Sequence, residues 1–459
     1  MGRYRCYLGW LLVGGLALAG LFGVRWLTGS REIHRELLEV NFPLAEPRPG
    51  SEDWPWWRGT HRNNFVPEGQ APLRWTPSEN VVWQTRVPGR GHASPIVWDG
   101  RVYVTAADEA RRSLLLMCLD RQTGESIWQT ELQRGRLATL GPRASQASAT
   151  PACDGERIFV ASPLNDELTV SAVDLAGRMV WQRSLGTFAT SRGYAAAPVL
   201  WGSLVIVSAE QSGRALDPWS GGSHLTALHR ATGKVVWKIP RQAGESRGTP
   251  VVARIAGREQ LILTGKPGVS AYDPANGQEL WNCRWNADRA VGSVAFDEQC
   301  VYASIRNPQE QVLCIRADGK GDVTATHVVW RENRAASEGP SPLVCGDELL
   351  ILSDEGTLTS LEKSTGKVRW KKRLTGTFVA SPIGVGPYVY CVSESGSVFV
   401  IDRRARGEIT AENPVGRGSL AAPAVSGNSL IFRSEAGLLM VQLPSTPYVD
   451  APQPERRRF

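Results

Sequence analysis

The chain has 459 residues, with 47 Gly, 29 Pro and 17 Trp and a formal net charge of +7. That charge sits largely at the ends: residues 1–31 carry four Arg and no acid, and residues 450–459 carry three Arg against two acids, leaving +2 for residues 32–449. A body so nearly neutral excludes a phosphate-tracking groove, and with it nucleic acid as a partner. Abundant Gly and Pro fit many short strands joined by tight turns.

In chain order, residues 1–27 come first as a membrane anchor or signal segment. Arg3 and Arg5 precede the uncharged run Cys6 to Val24, closed by Arg25. Nineteen apolar residues are about the length of a transmembrane helix. Ala17-Leu18-Ala19 also fits a small-x-small cleavage site. The apolar run continues past that site, which favours a retained anchor over a cleaved signal peptide. Either outcome exports the body, and with the positive end held inside, it faces the periplasm or exterior. No Cys follows the run, so a lipoprotein anchor is not expected. Residues 28–74 read as a polar tether and a Trp-rich lead-in, DWPWWRGTHRNNFVPEG at 53–69. Its Trp54, Trp56 and Trp57 are expected to lie across the side or end of the following domain, with an aromatic binding patch as the alternative.

From residue 75 to 443 one pattern recurs. A small residue and Pro open an apolar strand: Ser94-Pro95, Thr150-Pro151, Ala197-Pro198, Thr249-Pro250, Ser341-Pro342, Ser381-Pro382 and Ala422-Pro423. Pro suits a strand's first residue, where its missing N–H costs no ladder bond. Each unit then runs through an Asp-x-x-Thr-Gly-like turn, as in DRQTGESIW (120–128), HRATGKVVW (229–237), DPANGQELW (273–281) and EKSTGKVRW (362–370). The Trp that follows recurs at 83, 128, 181, 237, 281, 330 and 370. Two units are degenerate: Gly292-Ser293-Val294 replaces the small-Pro pair, and 402–410 (DRRARGEIT) lacks its Trp. With both counted there are eight openings spaced 40 to 56 residues apart, one four-stranded blade each. The expected fold is all-β, an eight-bladed β-propeller of four-stranded antiparallel blades preceded by one N-terminal transmembrane helix. Too few strands follow Pro423 for a whole blade, so the strand holding Trp83 is expected to complete the last blade and close the ring. Residues 444–459 read as a polar tail.

The Asp-x-x-Thr-Gly-x-x-x-Trp turn followed by a small-Pro opener resembles the PQQ-like propeller repeat. That repeat occurs in quinoprotein alcohol dehydrogenases and in BamB-type outer-membrane assembly proteins. The resemblance covers roughly residues 75–443. It implies either a non-catalytic scaffold with a protein partner at the envelope or, alternatively, a PQQ-dependent oxidoreductase. The dehydrogenase pattern implies an adjacent Cys-Cys disulfide near the quinone and a Ca²⁺ held by carboxylate and amide oxygens. No two of the eight Cys are adjacent, and Asn165-Asp166-Glu167, the nearest cluster of such ligands, reads as a hairpin turn. No cofactor, no metal and no catalytic residue is therefore expected. There is no Gly-rich phosphate loop, HExxH or GxSxG, and His92, His224 and His229 are expected as surface or packing residues. The single Cys are expected as small buried hydrophobes, with one or two disulfides open in an exported domain.

The loops entering the innermost strands emerge on one face of a propeller, and here they are repeatedly basic: Arg90, His92, Arg143, Arg192, Arg247, Arg289 and Arg417. They form the candidate binding rim, an electropositive mouth for an anionic ligand or acidic peptide.

Overall fold

The computed structural model describes residues 43–443 apart from 138–139, 142, 189–192, 212–221, 267, 286–290 and 307–309. Eight antiparallel sheets follow one another in the chain. Blades 1 to 7 span residues 96–134, 152–187, 199–240, 251–284, 295–332, 343–373 and 383–414, and blade 8 combines 424–442 with 81–85. Within each blade the short inner strand comes first, and two buried middle strands lead to a half-exposed outer one. In blade 1 these are Ile96–Trp98, Arg101–Asp108, Ser113–Asp120 and Ser126–Arg134.

The ring closes as its sequence implies. Val81–Thr85 pairs antiparallel with Gly437–Gln442, placing Trp83 opposite Met440. Closure joins the first and last segments of the propeller through a ladder of main-chain hydrogen bonds and leaves no half-blade edge for another chain to pair with.

The repeated Trp and the repeated turn are two halves of one joint. The Trp83 indole N–H donates to the Arg121 carbonyl in the turn of blade 1, 2.8 Å away. A Cβ on Gly124 in that turn would fall 2.5 Å from the same ring. Trp128, Trp181 and Trp330 repeat this, donating to the carbonyls of Leu175, Arg230 and Lys363 while Gly177, Gly233 and Gly366 lie on their faces. The glycine is required twice over. It adopts φ near +70°, as at Gly124 and Gly366, a region that a side chain disfavours, and it leaves room for the indole. Asn165 and Asp166 likewise form a tight hairpin turn, with φ of 53° and 60°.

The small residues before each Pro have a further role. The Ser94 N–H donates to the Thr150 hydroxyl of the next blade, 3.1 Å away. Ala197 does the same to Thr249, Ser293 to Ser341 and Ser341 to Ser381. The openers thus form a belt of blade-to-blade hydrogen bonds around the axis.

The apolar run 6–24 and the tail 444–459 lie outside the described residues, and among the described residues no helix is long and apolar enough to cross a membrane. All seven described cysteines are free, six of them buried.

Candidate functional site: a basic well closed by the Trp-rich lead-in

The lead-in crosses the end of the ring. Trp54 pairs with Val97 of blade 1 through two main-chain bonds of 2.9 Å, and the Cys153 N–H of blade 2 donates to the Pro55 carbonyl. Arg62 reaches the Leu200 carbonyl of blade 3 and stacks over Trp56, its guanidinium 4.4 Å from the ring centre. Asn64 bonds the Pro382 carbonyl of blade 7, and Phe65–Val66 adds a short parallel strand to that blade's inner edge.

Arg58 lies at the centre of this plug, 2% exposed. Its guanidinium donates to the carbonyls of Val294 (2.6 Å) and Pro342 (2.7 Å), the last residues of two blade openers. No carboxylate is among its bonds, and burial pulls its pKa down to about 9. Buried carbonyls can satisfy a guanidinium's fork of donors while leaving its charge in place.

Above the plug the axis opens into a well of about 130 Å³. Trp57 contributes to it from below, and the hydroxyls of Ser94, Thr150, Thr249, Ser293, Ser341 and Ser381 ring it. Its mouth is lined by His92, Arg143 and Arg247, three of the seven rim residues. Arg90 is held beside the mouth by a two-way main-chain bridge to Ala107 and does not line the well. Arg417 is exposed and also stands apart. Arg192 and Arg289 lie outside the described residues. Arg143 is paired with Glu394 of the blade 7 hairpin at 2.9 Å, which neutralises part of the rim. Of the five described rim residues, three therefore line the mouth, and Arg143 among them is paired with a carboxylate.

Behind His92, outside the lining of the well, is a basic group that the rim pattern does not include. Arg433, on the second strand of blade 8, is 3% exposed. Its guanidinium makes one long hydrogen bond of 3.4 Å to the Thr105 carbonyl, and its Nε has no partner. Its terminal nitrogen comes within 2.9 Å of where a Cβ on Gly91 would stand. His92 follows Gly91, and neither of its buried ring nitrogens has a partner. Burial, with Arg90 and Arg433 adding repulsion, lowers the His92 pKa to about 4. A buried cation without a carboxylate beside an unsatisfied imidazole is an unstable electrostatic arrangement unless something anionic completes it. The signal in the sequence was an Arg inside the apolar run SLIFRS (429–434).

The residues lining the well do not suit the Ca²⁺–quinone pair implied by half of the resemblance. Among the described residues that line it none is Asp, Glu or Cys, whereas a hard cation calls for carboxylate oxygen. Among the described residues no cluster of three or more His, Cys, Asp or Glu is placed to hold a metal. His224 and His229 are packing residues, 2% and 0% exposed within one strand.

Comparison with known proteins adds the family. The family model described as "Outer membrane protein assembly factor BamB" matches residues 74–214, 112–327 and 320–445. The assembly factor BamB of Yersinia pestis is 22% identical over 384 residues, covering 78% of this chain and 88% of the relative. The BamB structure from Moraxella catarrhalis superposes with a TM-score of 0.57 at 15% identity, over 79% of this chain and 98% of the other. A europium-containing methanol dehydrogenase superposes with a TM-score of 0.65 at 12% identity, over 85% and 91%. At such identities the structural likenesses establish the propeller fold alone.

Proposed function

The chain belongs to the family described as outer membrane protein assembly factor BamB, and from that premise we propose that it is a non-catalytic, extracytoplasmic propeller scaffold that receives an anionic group of a protein partner in its basic well. The observation that carries this reading is the pair Arg433 and His92 at the wall of the well, which His92 lines and Arg433 backs: a buried guanidinium with no carboxylate bond, close to an imidazole with both nitrogens unengaged. A carboxylate entering the mouth supplies the missing acceptor, with Arg247 and Arg143 lining the same opening. Trp57 and Arg58 block the axis below, so the ligand enters and leaves by one face. An acidic peptide segment fits this geometry better than a threaded chain does. The relatives' name concerns assembly at the outer membrane, and a partner at the envelope follows by analogy with them.

The test is titration of the purified protein with a short oligoglutamate peptide while the His92 imidazole is followed by NMR. An anion seated beside His92 stabilises its protonated form, so its pKa rises from about 4 toward the ordinary histidine value of about 6.5. The peptide is expected to bind less tightly to R247A and R433M, and raised salt is expected to weaken it. An unchanged His92 pKa at saturating peptide removes the well as the site. The parallel arm adds PQQ and Ca²⁺: saturable binding with reduction of an electron-accepting dye would replace the scaffold by the quinoprotein oxidoreductase.

A further inference from the structure

On the opposite side of the ring from the well, a cleft of about 940 Å³ lies between lead-in residues 60–65 and blades 4 to 6. Two cysteines line it. Cys300 opens the second strand of blade 5 (Cys300–Ile305) and Cys314 lies in the third (Gln311–Arg316). In the ladder Cys300 stands opposite Arg316 and Cys314 opposite Tyr302, which makes the two cysteines diagonal neighbours on one face of the sheet. Both line the same cleft wall, side by side across the ladder. Of the described cysteines, Cys300 alone is more than marginally exposed. The wall around them is polar: Lys363 Nζ is 2.9 Å from Asp297, which also accepts a 2.8 Å hydrogen bond from the Tyr302 hydroxyl.

We propose that Cys300 and Cys314 are a redox-active dithiol that closes to a disulfide within blade 5 by exchange with a disulfide-bearing oxidant reaching the cleft. This inference goes beyond the scaffold reading and does not depend on the well. Cys300 is the accessible thiol and therefore the attacking one. The neighbouring Cys314 thiol lowers its pKa, and Lys363 and Arg316 act in the same direction against burial and the Asp297 carboxylate; the net lowering favours the nucleophilic thiolate. Its sulfur attacks one sulfur of the oxidant, the oxidant's S–S bond breaks, and one thiolate leaves. Cys314, which its neighbour Cys300 and burial hold in the protonated form, gives up its proton and attacks the Cys300 sulfur of the mixed disulfide. The second thiolate then leaves. The protein loses two hydrogens and two electrons, and the oxidant's disulfide is reduced to two thiols.

Diagonal sheet neighbours stand farther apart than an unstrained disulfide prefers. Cys300 is the first residue of its strand and follows the bend at 298–299, so the backbone can yield there. A bridge formed by such a shift is strained and readily reduced, the property of labile rather than structural disulfides. Exported compartments supply oxidants of this class.

The experiment treats the native full chain with oxidised glutathione and reads intact mass and digested peptides. The expected product is two hydrogens lighter, has lost two thiols and yields one cross-linked peptide pair joining residues 300 and 314; dithiothreitol restores both thiols. C314S is expected to stop at a persistent glutathione adduct on Cys300, and C300S to react at neither position. A wild-type protein that keeps the glutathione adduct, or stays unmodified, overturns the proposal. So does a C300S variant that loses thiols as fast as the wild type. The adduct on C314S reports on access to Cys300 separately from closure, so failure of either step is visible.

Discussion

Six junctions between blades are built alike, and two are not. In the six, an outer-strand Trp lies on the turn glycine of the next blade, as Trp181 does on Gly233 and Trp370 on Gly407, although the Trp370 N–H donates to Glu348 of its own blade. Between blades 4 and 5 the same Trp position is solved differently. Trp281 is 0% exposed, and its indole N–H donates to the Gln260 side chain within its own blade, 2.7 Å away. The segment that would form the turn in blade 5 instead lays Gly321–Asp322 in parallel beside the outer strand of blade 4. Between blades 7 and 8 the outer strand has no Trp, and the lead-in supplies one. Trp75 is 2% exposed, donates its indole N–H to the Pro414 carbonyl and packs 5.4 Å from Phe432. A blade junction needs a large flat apolar group with a satisfied N–H, and the chain position that provides it is negotiable.

Several substitutions would break or sharpen this contrast. Trp281→Ala empties the most enclosed of these sites and should cost about 3–5 kcal/mol in chemical denaturation. The half-buried Trp128 should cost clearly less, and equal losses would mean that enclosure is not what distinguishes the irregular junction. Gly366→Ala should cost about 2–3 kcal/mol, because it combines positive-φ strain with a Cβ 2.6 Å from the Trp330 ring. Gln260→Met should cost about 1–2 kcal/mol, since it strands the Trp281 N–H and removes a donor from the carbonyls of Ile255 and Ala317, the latter keeping its bond from Arg258. The same volume-conserving change at Gln299, an exposed residue of a bend, should be close to neutral in the same assay.

The irregular junction between blades 7 and 8 falls where the repeat lacked its Trp, at 402–410, and its position was legible. The one between blades 4 and 5 was not, because the degenerate opener at 292–294 keeps the ordinary bond from Ser293 to Ser341 and the irregularity lies at Trp281 and 321–322 instead. Nothing local in GKGDV (319–323) says that it will pair in parallel with a neighbouring blade, because such pairing is fixed only when both partners are in place. The site shows the same division. His92, Arg143 and Arg247 were legible as rim residues because the repeat places every such loop on one face. The Arg143–Glu394 pair was not, since its members are far apart in sequence and meet only when the ring curves them together.

The sequence by itself determined the number of blades, the order of strands within each and the closure through Trp83. These depend on short-range rules: alternation, Pro at strand starts, and glycine where φ is positive. Tertiary structure alone decided that the Trp-rich segment plugs the axis, that Arg58 and Arg433 are buried without carboxylates, and that Cys300 meets Cys314 at the wall of a cleft. Burial and charge at those positions are set by groups from distant blades, and local sequence holds at most a faint trace of them, such as the Arg inside the apolar run at 429–434.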